Sequence, residues 1–272
     1  MIKEAFLLSA GLGTRMKPLT DVVPKPLIQL CGKPLIRWNL ELLKAIGCTK
    51  VIVNVHYKKD LLIDYLLKNP IVDLEIIISE EDPILDTGGG IKKILPLIKG
   101  ERFYTWNSDL FIDPRIVNAS DSPLTKLYEL SQSANNPDIC LLVKKCDETS
   151  LEKFTPLGFD RNLRLSRFLG QSYASDPLSS ANLTDYSFLG ISIMKKEISK
   201  YFTEHSEIFS ITKDVFPILL EATRHKGEGG IYGSPCNYYW NDVGTPERLN
   251  DASKEMENIL PLLQNPVLSD NR

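Results

Sequence analysis

The sequence predicts an α/β fold: a mixed, mostly parallel sheet covered by helices on both faces, in a single domain. Two observations carry this prediction. Strand-like and helix-like segments alternate through the first half of the chain, the pattern of a crossover-connected parallel sheet. A glycine turn after Ser9 and an acidic turn at Asp109 then fall at the carboxyl ends of strands, where such sheets bind ligands.

The elements follow in order. Ala5–Ser9 is a short apolar run that stops at glycines and reads as a buried strand. Pro34–Ala45 has Pro at its start, apolar residues at Leu35, Ile36, Leu40, Leu42 and Leu43, and Gly47 as its stop, so it reads as a helix. Lys50–Val55 is β-branched and strand-like. A helix at Asp60–Lys68, a strand at Leu74–Ser79, a helix at Gly90–Ile98 and a strand at Arg102–Trp106 continue the alternation. Leu124–Ser133 reads as a helix and Asp138–Lys145 as a strand. The second half is less regular. Phe154–Phe168 reads as a hairpin turning at Asp160-Arg161-Asn162, and Gln171–Asp185 as a polar loop. Tyr186–Met194 reads as a strand, Thr212–Arg224 as a helix, and Ile231–Asp242 as a strand broken by Pro235. Thr245-Pro246-Glu247 is a helix start, with Thr as N-cap, Pro in the first turn and an acid facing the dipole. The domain is expected to span 1–263, with 264–272 as a polar tail.

Bulk properties narrow the function. The chain has 272 residues, 43% of them hydrophobic and 25% charged, which suits one folded α/β domain. A net charge of −3 gives no electrostatic case for a nucleic-acid partner, so an anionic substrate must be held by local charge. The cysteines, Cys31, Cys48, Cys140, Cys146 and Cys236, form no C-x-x-C pair and are odd in number. They argue for a reducing, cytoplasmic compartment rather than a disulfide framework or zinc site. No apolar run approaches the ~20 residues of a membrane span.

Three motifs carry chemistry. The first is Ser9-Ala10-Gly11-Leu12-Gly13-Thr14-Arg15-Met16-Lys17, a strand feeding two close glycines. Such a turn lets backbone N–H groups approach phosphates. Met16 stands where a dinucleotide fingerprint needs its third glycine, and no Gly-Lys-Ser/Thr follows, so neither that fingerprint nor a Walker A loop is present. Alone, the glycines also fit a plain tight turn; Arg15 and Lys17 shift the reading toward a triphosphate. The second motif is Val23-Pro24-Lys25-Pro26-Leu27, in which two prolines hold one lysine. By itself this reads as a surface lysine in a Pro-rich loop, ahead of a placed positive charge for a phosphate. The third is the pair of acids Asp109 and Asp242, far apart in the chain, each of which also fits a turn-capping role.

The combination Ala-Gly-x-Gly-Thr-Arg followed by Pro-Lys-Pro resembles the nucleotidyltransferases that make nucleotide sugars. Leu85-Asp86-Thr87-Gly88-Gly89-Gly90-Ile91 and Trp240-Asn241-Asp242-Val243-Gly244-Thr245-Pro246-Glu247-Arg248-Leu249 extend the resemblance. They point to the branch that holds N-acetylmuramate-1-phosphate uridylyltransferases and mannose-1-phosphate guanylyltransferase-like proteins. The resemblance implies a Rossmann-like nucleotidyltransferase domain, an enzyme that joins a nucleoside triphosphate to a sugar 1-phosphate and releases pyrophosphate. It implies Mg²⁺ on Asp109 and Asp242, catalytic roles for Arg15 and Lys25, and nucleotide contacts from Ala10, Gly11, Gly13, Thr14, Arg15, Lys25, Thr87 and Gly88. Sugar contacts are implied at Asn107 and at Lys153 in Glu152-Lys153-Phe154, with Gly158-Phe159-Asp160 as the other counterpart of the family's Gly-Asp-Phe. Ser108 stands where the family has Gly, and Ser9 where Ala is common. UTP with an amino-sugar or hexose 1-phosphate is the expected pair. GTP with mannose 1-phosphate, a phosphocholine cytidylyltransferase, and a catalytically silent regulatory homologue are the alternatives. A monomer or homodimer is expected.

Overall fold

The computed structural model describes residues 1–117, 121–147, 155–175, 182–202 and 206–264. Strand β1 (Glu4–Leu8) leads into the glycine loop, with short helical turns at Thr14–Met16, Leu19–Val22 and Lys25–Leu27. The small strands β2 (Gln29–Leu30) and β3 (Lys33–Pro34) precede helix α1 (Leu35–Ala45). Next come β4 (Lys50–Val55), α2 (Lys59–Lys68), β5 (Glu75–Glu80), α3 (Asp86–Ile94) and β6 (Arg102–Asn107). A short strand, β7 (Leu110–Ile112), follows at once, then α4 (Pro123–Ser131) and β8 (Ile139–Lys145). The second half supplies β9 (Leu157–Phe159), β10 (Leu165–Phe168), β11 (Gln171–Ser172) and the long β12 (Thr184–Lys195). Helix α5 (Phe216–Thr223), β13 (Ile231–Pro235), β14 (Trp240–Asp242) and α6 (Pro246–Gln264) complete the chain.

The main sheet runs β11-β10-β9-β12-β6-β1-β4-β5. β1 lies parallel to both β4 and β6, and β4 parallel to β5. β12 is antiparallel to β6, β8 and β9, which makes the sheet mixed. Period-2 alternation sends successive residues of each strand to opposite faces. Ala5, Leu7, Val51 and Val53 pack with Ile36, Leu40 and Leu43 of α1 and Leu62 and Leu66 of α2. Phe6 and Ile52 pack on the other face with Ile91 and Ile94 of α3 and Phe216 and Leu219 of α5. Helices therefore cover both faces, as the sequence predicts.

A third apolar cluster joins the two ends of the chain. Met16, Leu30, Leu35, Trp38 and Phe111 pack against Val243, Ala252, Met256 and Ile259. Burying each large side chain of this kind is worth about 1.5–3 kcal/mol. The cluster presses α6 onto the glycine loop and holds β14 beside β7.

Four elements differ from the sequence reading, and the first is Gln171–Asp185, read as a polar loop, whose ends belong to β11 (Gln171–Ser172) and to the start of β12. The helix at the glycine run starts at Asp86, so all three glycines lie inside it. Ile231–Asp242 is two strands in two sheets: β13 pairs with β8, and β14 pairs with β7. β7 itself is too short and too close to β6 to show as a separate period. The hairpin at β9 and β10 forms as expected, with Asp160 Oδ1 accepting from the backbone N–H of Asn162 and Arg164. Its first residue, Phe154, lies outside the described residues, as do residues 265–272 of the tail and 176–181 of the Ser-rich segment. Among the described residues no helix is long and apolar enough to cross a membrane.

Candidate active site

The parallel strands β1, β4, β5 and β6 all end on one side of the sheet. The residues at or just past those ends (Ser9, Asn54, Glu81 and Asn107) line a cavity of about 370 Å³. A buried hydrogen-bond chain links three of the strand ends. The Ser9 N–H donates to Asn54 Oδ1 at 2.6 Å, and Asn54 Nδ2 donates to Glu81 Oε1 at 2.7 Å. Glu81 Oε2 accepts from the Leu85 N–H at 2.9 Å, which ties the start of the Asp86-Thr87 segment to the sheet. Sequence reasoning missed both Asn54 and Glu81. The available signal was Asn54 itself, a polar residue inside an otherwise apolar buried strand.

Above β1, Gly13 adopts φ +65°, a left-handed conformation that suits glycine. Its carbonyl accepts from Thr20 Oγ1 at 2.9 Å and from the Met16 N–H at 2.9 Å, and the buried Met16 side chain anchors the loop. Ala10 and Gly11 line the cavity, whereas Thr14 and Arg15 are exposed beyond it. The Arg15 guanidinium reaches toward Gly244: a Cβ there would lie 3.1 Å from Arg15 Nη2.

Pro24 and Pro26 flank Lys25 in a tight helical turn, and the lysine is 9% exposed. Its ammonium forms an ion pair with Asp109 Oδ2. Asp109 occupies the turn between β6 and β7, and α1 holds that turn from below. Asn39 Nδ2 donates to the Ser108 carbonyl at 3.2 Å and the Leu110 carbonyl at 2.9 Å, on either side of Asp109. The Ser108 hydroxyl donates to the Leu8 carbonyl at 2.8 Å, joining the ends of β6 and β1.

The two distant acids do meet. β14 pairs antiparallel with β7, placing Asp242 opposite Leu110, and the Val243 N–H donates to the Asp109 carbonyl at 2.9 Å. Asp242 Oδ2 accepts from Arg248 Nη1 at 2.7 Å. Each carboxylate thus has one oxygen held by a cationic side chain. The other oxygens, Asp109 Oδ1 and Asp242 Oδ1, are buried and have no hydrogen-bond partner. A buried carboxylate oxygen without a partner is costly, and two such oxygens stand here at neighbouring positions. The donor set fits a hard divalent cation that takes one or two carboxylates and fills its remaining positions with phosphate oxygens and water. Among the described residues no group of three or more His, Cys, Asp and Glu side chains is placed to hold a metal ion.

The glycine run lies at the edge of the cavity and packs against another segment of the chain. Thr87 lines the cavity, with Oγ1 accepting from the Ile211 N–H at 3.0 Å. Gly88 is buried, and the N–H groups of Gly88 and Gly89 both donate to the Phe209 carbonyl, at 2.9 and 3.2 Å. A Cβ at Gly88 would lie 2.3 Å from Phe209 Cδ2, and one at Gly89 would lie 2.1 Å from the Glu207 carbonyl oxygen. These glycines admit the chain's own Glu207–Phe209 segment, and Ile208 from that segment lines the cavity. Lys153 lies outside the described residues.

Residues 4–259 match the model of the nucleotidyl transferase family. The chain belongs to that family. Among its curated relatives, the mannose-1-phosphate guanylyltransferase of Mycobacterium tuberculosis is 27% identical over 99% of this chain and 68% of its own length. The N-acetylmuramate alpha-1-phosphate uridylyltransferase of Neisseria meningitidis serogroup B is 40% identical over 40% of this chain and 48% of its own. This family member therefore aligns with about half to two thirds of the length of those relatives. The crystal structure of HddC from Yersinia pseudotuberculosis shares the fold at TM-score 0.71 and 24% identity, covering 94% of this chain and 100% of that one.

Proposed function

We propose that this nucleotidyl transferase joins a nucleoside triphosphate to a sugar 1-phosphate, giving a nucleotide sugar and pyrophosphate. The observation that carries the reading is the meeting of Lys25, Asp109 and Asp242 at the strand ends, with one buried oxygen of each acid left without a partner. An oxygen of the sugar phosphate bonds to the α-phosphorus, and the bond to the bridging oxygen breaks as pyrophosphate takes its electron pair. No protein nucleophile is needed, so catalysis is positioning and charge neutralisation. The glycine loop supplies N–H donors to the triphosphate. Lys25 neutralises the α-phosphate and incoming phosphate, and Arg15 the departing pyrophosphate. Asp109 and Asp242 would hold Mg²⁺, which supplies charge neutralisation across the phosphates.

UTP with an amino-sugar or hexose 1-phosphate is the favoured pair, supported by the 40% identical uridylyltransferase segment. GTP with mannose 1-phosphate is the second reading, supported by the 27% identity to a guanylyltransferase along nearly the whole chain. Retention of Arg15, Lys25, Asp109 and Asp242 speaks against a silent regulatory homologue. The free thiols of all five cysteines favour a cytoplasmic setting.

Pyrophosphate release with Mg²⁺, each common nucleoside triphosphate, and a panel of sugar 1-phosphates plus phosphocholine tests the reading. Release with UTP and an amino-sugar phosphate supports the favoured pair. Release only with CTP and phosphocholine, or none from folded protein, overturns it. Lys25→Ala is expected to lower turnover by about 10²–10³; near-normal turnover at saturating substrates would remove Lys25 from the mechanism.

A further inference from the structure

Arg102, the first residue of β6, stands directly opposite Lys195, the last residue of β12, in their antiparallel pairing. Like charges at opposed positions destabilise a sheet. Arg102 is half-buried and the Lys195 side chain is 14% exposed, so water does little to screen the pair. Their hydrogen bonds go to neutral oxygens. Arg102 Nη1 donates to the Pro137 carbonyl at 2.8 Å and Nη2 to Asn136 Oδ1 at 3.0 Å, while Lys195 Nζ donates to the Asn136 carbonyl at 2.7 Å. Lys196 Nζ likewise donates to the Ile98 carbonyl at 2.5 Å. One buried carboxylate, Asp138, stands 4.0 Å from Lys195 Nζ. Its Oδ1 is shared with Lys200 at 3.4 Å, and its Oδ2 accepts from the Gly230 N–H at 2.8 Å. Burial holds both the Arg102 guanidinium and the Lys195 ammonium below their ordinary pKa values, and Arg102 adds to the effect at Lys195 against the pull of Asp138.

Arg102, Lys195 and Lys196 line one cavity of about 770 Å³, together with Lys99. Glu101 and Glu197 line it too, but both are exposed to water, where their charge counts for less. Ser133 Oγ, on the same wall, is buried and has no hydrogen-bond partner. This cavity shares no lining residue with the one at the strand ends. Asn107, which lines that other cavity, is at the far end of β6, about 17 Å away at the usual strand rise. We propose that the cavity behind Arg102 is a second, separate binding site, for a small phosphorylated molecule whose phosphate is held by Arg102, Lys195 and Lys196. A guanidinium has five N–H donors and an ammonium three, so each of these groups keeps donors to spare. A phosphate offers several acceptor oxygens at once, and its charge offsets the repulsion between β6 and β12. The Ser133 hydroxyl adds a neutral donor. The volume leaves room for a body of sugar or nucleoside size beside the phosphate. The inference does not depend on the reaction proposed above.

The test is hydrogen exchange of the full chain, read by mass spectrometry, as pyrophosphate is added without metal ions at constant ionic strength. Peptides covering 99–103, 131–137 and 194–199 are expected to gain saturable protection. Arg102→Gln and Lys195→Gln should each raise the half-saturating concentration about tenfold or more. Lys92→Gln, at an exposed lysine that lines neither cavity, should leave it unchanged, and so should Lys25→Ala in the other cavity. Without added anion, Lys195→Gln should be at least as stable as wild type to denaturant, because it removes the opposed charge. Absence of protection in wild type overturns the proposal, as does protection that survives in both Arg102→Gln and Lys195→Gln. Protection that vanishes in Lys25→Ala places the anion in the other cavity and overturns it as well. Sulfate acting at the same concentration as pyrophosphate overturns the assignment to a phosphorylated ligand. A Lys195→Gln chain that is less stable than wild type, or does not fold, shows the lysine to be a structural tie and overturns its role. If Arg102→Gln fails to fold, Lys195→Gln decides alone.

Discussion

Carboxylates stand beside lysines at both ends of the parallel strands, and they are treated in opposite ways. At the amino end of β1, Glu4 Oε1 accepts from Lys50 Nζ at 3.0 Å and from the Lys99 N–H at 3.1 Å. Glu4 Oε2 accepts from the N–H groups of Lys99 at 2.9 Å and Gly100 at 2.6 Å. At the carboxyl end of β6, Asp109 accepts from Lys25 but keeps one buried oxygen without a partner, and Asp242 beside it does the same. The same chemistry therefore serves two purposes. A saturated carboxylate ties loops together and stabilises the fold, while a half-satisfied one holds unfavourable energy that a ligand relieves. The contrast supports the roles proposed for the two ends.

The largest expected effect breaks the comparison at the open end. Asp242→Asn should lower pyrophosphate release by about 10²-fold or more, with only a small drop in melting temperature, because Oδ1 has no partner within the protein and the asparagine amide oxygen can still accept from half-buried Arg248. A large loss of stability with near-normal turnover would reverse the assignment of the two ends. The converse change is Glu4→Gln, which removes a charge-assisted contact and misplaces donors. It should destabilise the chain by about 1–3 kcal/mol in a denaturant titration and leave turnover of the folded fraction unchanged.

Acid sharpens the same contrast. Burial raises the Glu4 carboxyl pKa, but the hydrogen bonds from Gly100, Lys50 and Lys99 outweigh it and bring the group below its ordinary value. A carboxyl lowered in the folded state stabilises fully above its unfolded value, and that contribution is lost as pH falls through the folded value. The stability gap between wild type and Glu4→Gln should therefore be full near neutrality and shrink on acidification below about pH 4. A gap that widened in acid would mean that Glu4 is protonated in the native chain.

The smallest effect is a labelling pattern. Burial pushes the Cys48 thiol, which lies against Ile2 at the closed amino end, up to about 12. Cys140 is likewise pushed up to about 12 by burial. Exposed Cys31, between β2 and β3, should react with iodoacetamide in the native chain, while Cys48 and Cys140 should wait for unfolding. Native-state labelling of Cys48 would show that the amino end opens.

Several features were legible in the sequence because neighbouring residues encode them. Alternation within Lys50–Val55 and the stop at Gly47 depend on residues a few positions apart, and so do the Gly13 turn and the proline-held Lys25. Thr245 as N-cap is equally local, and its hydroxyl accepts from the Arg248 N–H at 3.3 Å. The glycine run shows where such reading stops. Three glycines signal that something comes close, and only the fold reveals that the close neighbours are Phe209 at Gly88, the Glu207 carbonyl at Gly89, and Glu81 with Phe6 at Gly90.

By itself the sequence determined the α/β class, the strand ends that carry the candidate site, and the residue types gathered there, because short-range pattern and backbone restriction are written in adjacent positions. Only the tertiary structure decided that Asp109 and Asp242 share one corner, that Asn54 and Glu81 join the cavity, and which oxygens remain open. The first of those facts goes with the cluster in which Met256 and Ile259 of α6 pack with Phe111, and with the pairing of β14 and β7; the second goes with the parallel pairing of β1, β4 and β5. Such contacts between distant residues follow from packing complementarity across the whole core, and no local pattern specifies them.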